Sequence, residues 1–134
     1  MMTEKSERLD IRSSDDVVRV RQVARTLALG AGLSLVDQTK IITAASELAR
    51  NTLDYGGGGS LTAELVELSG RRGLRLTFED HGPGIADVDA ALKDGYTTGK
   101  GMGLGLGGAK RLSNEFSIHS KPGEGTKIVI ARWK

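Results

Sequence analysis

Four consecutive glycines at positions 56–59 divide the chain by the period of its apolar residues. Before them the period is helical. Val17, Val20, Ala24, Leu27 and Ala28 recur at three- to four-residue spacing, predicting a helix over 13–32. Ser14 is positioned to cap it, with Asp15 and Asp16 at the positive end of its dipole. Ile41, Ile42, Ala45, Leu48, Ala49 and Thr52 make a second stripe, predicting a helix over roughly 36–55. After the glycines the period is two. Residues 60–68 and 73–80 alternate as a hairpin around the turn "SGRRG", and 115–121 and 126–133 as another around "KPGEG". A strand over 7–13, a short helix over 87–95 and a further helix opening in "GLGGAKRL" complete the series. The predicted order is β-α-α-β-β-α-loop-α-β-β. Hairpin strands with helices set apart predict an α+β fold: a two-layer α/β sandwich with a mixed, mostly antiparallel sheet covered by helices on one face. Length suits one domain over 1–134.

Charge excludes some functions. The net charge of +2 does not argue for nucleic acid. No apolar run approaches bilayer length, and the first ten residues hold no apolar signal core. With no cysteine there is no disulfide framework or thiolate metal site, and the expected location is cytoplasmic. Residues 100–134 hold seven Lys or Arg against two Glu, a net +5, which leaves −3 for residues 1–99. The basic third begins in a glycine-rich segment, as suits a phosphate ligand or a solvated surface.

Three stretches carry chemistry. In "SELARN", Glu47 and Asn51 lie four apart, on one helix face at the edge of the apolar stripe. A carboxylate there can accept a proton, and an amide oxygen is a hard ligand suited to Mg2+. Taken alone, the pair is more simply a solvated helix edge with a weak Glu–Asn hydrogen bond. In "FEDHGPGI", Leu74, Leu76, Phe78 and Asp80 share one strand face, so a carboxylate continues an apolar surface inward and needs a partner. An amine on an apolar ring, such as adenine N6, would satisfy it; so would an Asx turn to the following backbone. Gly82 and Gly84 would admit a ligand close to the backbone. In "DGYTTGKGMGLGLGGAKRL", backbone N–H groups and Lys100 offer an anion site. Gly103, Gly105 and Gly108 mimic a dinucleotide-binding fingerprint without the preceding strand, and "GYTTGKG" falls one residue short of a phosphate-binding loop.

Together and in this order, "ELARN", "DHGPGI", "TGKGMGLGLGG" and "GEGT" resemble the four boxes of the GHKL, or Bergerat-fold, ATPase superfamily. The resemblance covers residues 7 to 134. The absence of a dimerisation helix pair or receiver makes the chain most similar to the bacterial anti-sigma and switch-protein kinases, the stressosome serine/threonine kinases among them. It implies ATP and Mg2+ as cofactors. It implies Glu47 as the group that orients or deprotonates the attacking hydroxyl, and Asn51 as the Mg2+ ligand. Asp80, Gly82, Gly84, Ile85 and Thr126 would surround adenine. Thr98, Gly99, Lys100, Gly101, Gly103, Leu104 and Gly105 would close over the phosphates. The implied partners are a STAS-domain protein as substrate and a PP2C-type phosphatase, with a sigma factor as the alternative; neither nucleic acid nor membrane is implied. The family's residue after the acid is glutamine, and here it is His81.

Overall fold

The computed structural model describes residues 2–92 and 105–134. In chain order the elements are β1 (Met2–Ile11), α1 (Ser14–Gly30), α2 (Leu35–Asp54), β2 (Gly59–Leu68), β3 (Arg71–Asp80), α3 (Val88–Ala91), α4 (Gly105–Arg111), β4 (Glu115–Lys121) and β5 (Gly125–Trp133). The strands form one sheet in the order β1-β2-β3-β5-β4, and every pairing among the described residues is antiparallel. The expected two layers are present: the stripes of α1 and α2 meet Leu61, Leu74, Leu76, Phe78 and Ile130 on one face of the sheet, all of them essentially solvent-free.

Local chemistry sets several boundaries. Ser13, not Ser14, caps α1, because Asp16 reaches back to accept from the backbone N–H groups of Arg12 (2.8 Å) and Ser13 (3.2 Å). These bonds, the Arg12 N–H first, hold the Asp16 carboxyl below the ordinary aspartate range. The first hairpin is tighter than "SGRRG" suggests. Ser69 (φ 53°) and Gly70 (φ 80°) alone make the turn, a two-residue connection with both central residues left-handed, and Arg71 and Arg72 already belong to β3. β1 begins at Met2 rather than residue 7. Thr3 to Arg8 are polar and exposed and carry no apolar alternation; backbone pairing to β2 over almost its whole length orders them, and charged side chains guard the edge.

On the outer sheet face Arg75 grips Glu64 through Nε (3.0 Å) and a terminal nitrogen (3.1 Å). The Arg75 hydrogen bond is the main cause holding the Glu64 carboxyl below its usual range. A depressed carboxyl contributes stability that is present above its unfolded pKa and lost as pH falls through the folded one. Denaturant melts of wild type and Glu64→Gln are therefore expected to differ by about 0.5–1 kcal/mol at pH 7. The difference should shrink below roughly pH 4, the ordinary glutamate range. A difference independent of pH would mean that the charge pair is not its source.

At the far end of the sheet Arg132 joins two elements, donating to the Leu112 carbonyl (2.9 Å) after α4 and to Asp37 (2.8 Å) in the first turn of α2. No described helix is long and apolar enough to cross a membrane.

Candidate active site

The strand order builds the site. β5 lies between β3 and β4, so Asp80 at the end of β3 is directly opposite Thr126, and Thr126 is directly opposite Ser120 on β4. Three polar side chains thus form a row across three strands, continuing the face that holds Phe78 and Ile128. Above this end of the sheet the last turns of α2 bring Glu47 and Asn51. A cavity of about 490 Å3 lies between them, with Phe78, Ile128, Ala91 and Leu106 supplying apolar wall and Glu47, Asn51, Asp80 and Thr126 the polar groups. This is the size and character of a small-molecule pocket: mostly apolar, with a few convergent polar groups.

Glu47, Asn51, Asp80, Gly84, Ile85, Gly105 and Thr126 all line this one cavity. Thr98, Gly99, Lys100, Gly101, Gly103 and Leu104 lie outside the described residues. The helix-edge pair is not simply solvated: Glu47 and Asn51 are half-buried, and Glu47 has no hydrogen bond or ion pair to any described residue. Arg50 and Asp54, on the same helix, point to solvent.

Asp80 answers to both readings of its sequence. One carboxylate oxygen accepts from the Gly82 N–H (2.9 Å), closing the Asx turn, while the residue also faces the cavity. The bare turn has a cause of its own. A Cβ at Gly82 would come within 2.7 Å of Gly56 Cα, and one at Gly84 (φ +76°) within 2.0 Å of the Lys121 carbonyl oxygen. Close approach of backbone to backbone thus requires these glycines whether or not a ligand is bound. The 81–85 turn is docked on the β4–β5 hairpin: the Ile85 N–H donates to Ser120 Oγ (2.8 Å) and the Gly123 N–H to the Pro83 carbonyl (2.7 Å). His81 is exposed and does not line the cavity.

Sequence reasoning missed Gly56 and Ser120. Gly56 reads as a helix stop, yet a Cβ there would meet the Asp80 carboxylate at 2.5–2.6 Å, so its bareness is what lets the acid sit where it does. Ser120 was legible in principle: the "KPGEG" turn sets Lys121 opposite Gly125, which puts Ser120 beside Thr126.

Beside the cavity, a polar depression of about 450 Å3 runs between α1 and α2, with Arg21, Gln22 and Arg25 on one side and Thr43, Ser46 and Glu47 on the other. Glu47 lines both. For a divalent cation the hard oxygens that lie one helical turn apart in the site are the Asn51 amide and the Glu47 carboxylate. Among the described residues no group of three or more His, Cys, Asp or Glu could hold a metal alone. That donor set fits Mg2+, which retains water and takes nucleotide phosphates as ligands.

An open antiparallel sheet with helices over one face, and a pocket between its end and a helix bearing Glu and Asn, defines a class of ATPase domain. Residues 36–134 match the model of the histidine kinase-, DNA gyrase B- and HSP90-like ATPases, and the chain belongs to that family. It is 47% identical to the serine/threonine-protein kinase RsbT of Bacillus subtilis over 118 residues, 88% of this chain and 89% of that protein. It is 29% identical to the anti-sigma F factor of Anoxybacillus flavithermus over 105 residues, 74% of this chain and 71% of that one. The crystal structure of the RsbU and RsbW domains of a Mycobacterium tuberculosis protein shares the fold, with a TM-score of 0.67 at 19% identity. That match covers 97% of this chain, which spans a third of the mycobacterial one.

Proposed function

We propose that the chain is an ATP-dependent serine/threonine protein kinase. In this reading it phosphorylates a STAS-domain protein and, by exchanging partners, activates a PP2C-type phosphatase in the cytoplasm. The observation that carries this is the position of Glu47: one uncommitted carboxylate lines both a nucleotide-sized cavity and an open groove beside it. A nucleotide hydrolase needs only the first; a kinase must admit a protein hydroxyl as well. The identity to RsbT supports the choice.

The chemistry is in-line transfer of the γ-phosphoryl group, which needs positioning and charge neutralisation more than covalent help. Glu47 accepts a hydrogen bond from the attacking hydroxyl and takes its proton as the new P–O bond forms and the bond to ADP breaks. Asn51 would hold Mg2+, which when bound neutralises phosphate charge. Asp80 accepts from the adenine amine, with Gly84 and Ile85 shaping the wall beside the base, Gly82 holding the turn that follows the acid and Thr126 next to the acid. Thr98, Gly99, Lys100, Gly101, Gly103, Leu104 and Gly105 would cover the phosphates.

Asp80→Asn is expected to weaken ADP and ATP binding by about 1.5–3 kcal/mol, the worth of a hydrogen bond to a charged group. The amide oxygen can still accept from Gly82, so the turn survives. Titration calorimetry showing normal affinity would remove Asp80 from the nucleotide site. The reaction itself is tested by incubating the protein with labelled ATP, Mg2+ and STAS-domain proteins, with a sigma-factor pulldown in parallel. Label transfer without sigma binding supports the kinase. Sigma binding instead favours the alternative, an anti-sigma factor, to which the 29% relative lends weight.

A further inference from the structure

The geometry points to Ser120 as a positioning residue that makes the pocket selective for a purine bearing an amino group, by fixing the direction in which the Thr126 hydroxyl points its proton. This inference rests on the reading of the cavity as a nucleotide site. Ser120 does not line the cavity itself. Its Oγ has three partners: the Ile85 N–H at 2.8 Å, the Gly125 carbonyl at 3.0 Å and Thr126 Oγ1 at 2.8 Å. A serine hydroxyl has one proton to give and two lone pairs to receive with. The Ile85 N–H can only donate and the Gly125 carbonyl can only accept. All three contacts are hydrogen bonds at once only if Ser120 donates to Gly125, accepts from Ile85 and accepts from Thr126.

The Thr126 proton is then committed to Ser120, and Thr126 turns only lone pairs towards the cavity. Next to it, as its partner across the β3–β5 pairing, stands Asp80, whose carboxylate oxygens are also acceptors. The pocket end therefore presents two adjacent acceptors. A ligand group in direct contact with them must donate. An exocyclic amine with two N–H bonds meets the demand; a keto oxygen at the same ring position faces acceptors with no proton between. Sites built to hydrogen-bond a particular group reject the analogue that lacks it, because their own polar groups are left unpaired. Without Ser120, the Thr126 hydroxyl is free to turn its proton to the ligand and accept the keto form.

The test measures the affinities of ADP and inosine diphosphate, in which a keto oxygen replaces the amine and the adjoining ring nitrogen gains a proton, by calorimetry on wild type, Ser120→Ala and Ser120→Thr. Wild type is expected to prefer ADP strongly. Ser120→Ala is expected to narrow the ADP-to-inosine-diphosphate ratio by about tenfold, one hydrogen bond's worth. Ser120→Thr keeps the hydroxyl and should restore the ratio. A merely structural serine would weaken both nucleotides together and leave the ratio unchanged in Ser120→Ala, which would overturn the inference while leaving the nucleotide site standing. If the alanine variant does not fold, the threonine variant together with Ser120→Cys, a weaker donor and acceptor of similar size, reads the same ratio. Wild type that binds neither nucleotide would overturn the inference together with the reading beneath it.

Discussion

Glu47→Gln is expected to lower phosphoryl transfer to the protein substrate by about 10^2–10^4-fold, the usual contribution of a positioned general base. Nucleotide affinity should change little. The amide is nearly the same size as the carboxylate, and the wild-type group has no hydrogen bond or ion pair to a described residue that the substitution would break. It can still donate or accept a hydrogen bond but cannot take the proton. A single-turnover assay with saturating ATP and substrate isolates the step, and calorimetry with ADP supplies the control. Unchanged transfer would remove Glu47 from the chemistry; lost transfer with equally lost ADP binding would make it a nucleotide ligand.

The second large effect is on stability. Gly84→Ala is expected to destabilise the fold by about 2–5 kcal/mol, combining left-handed strain with overpacking. The new methyl would lie 2.0 Å from the Lys121 carbonyl oxygen, a collision with backbone that no rotamer change relieves. For a domain of this size the melting temperature should fall by about 10 °C or more. Gly123→Ala is the internal control. Gly123 has nearly the same φ (+78°) but open space around it, so it carries the strain without the collision and should cost about 1 kcal/mol. Equal losses in the two variants, followed by calorimetry, would show that the docking of the 81–85 turn on the β4–β5 hairpin contributes nothing beyond local backbone strain. Because the turn carries Ile85 and follows Asp80, Gly84→Ala should also weaken nucleotide binding at temperatures where it remains folded.

Much of the fold was legible because the relevant signals are local. All five residues assigned to the apolar stripe of α1 are buried, and in α2 only Ile42 lies half out, with Ala44 taking a place beneath the helix. A stripe position one residue off the helix centre cannot be told from its neighbour by spacing alone. The start of β1 was not legible, since Thr3 to Arg8 are polar throughout and gain their conformation from a partner strand more than fifty residues away. A helix over "GLGGAKRL" is present as α4, although Gly105, Gly107 and Gly108 are poor helix formers; burial against α2 outweighs propensity there.

The candidate site divides the same way. Its residue types and their order were readable: a carboxylate and amide one helical turn apart, and an acid continuing an apolar strand face. Their convergence was not. Periodicity states which face a side chain takes, and that holds for each element before any other element is considered. It does not state which strands are neighbours. Only the insertion of β5 between β3 and β4 sets Thr126 opposite Asp80 and Ser120 behind it, and only the packing of α2 over that end of the sheet brings Glu47 and Asn51 to the same cavity. The glycines show the difference most sharply. From the sequence alone they are turns and room for a ligand. Gly56, Gly82 and Gly84 are required because distant segments of backbone and the Asp80 carboxylate come within van der Waals contact of them, a constraint that does not exist until the chain is folded.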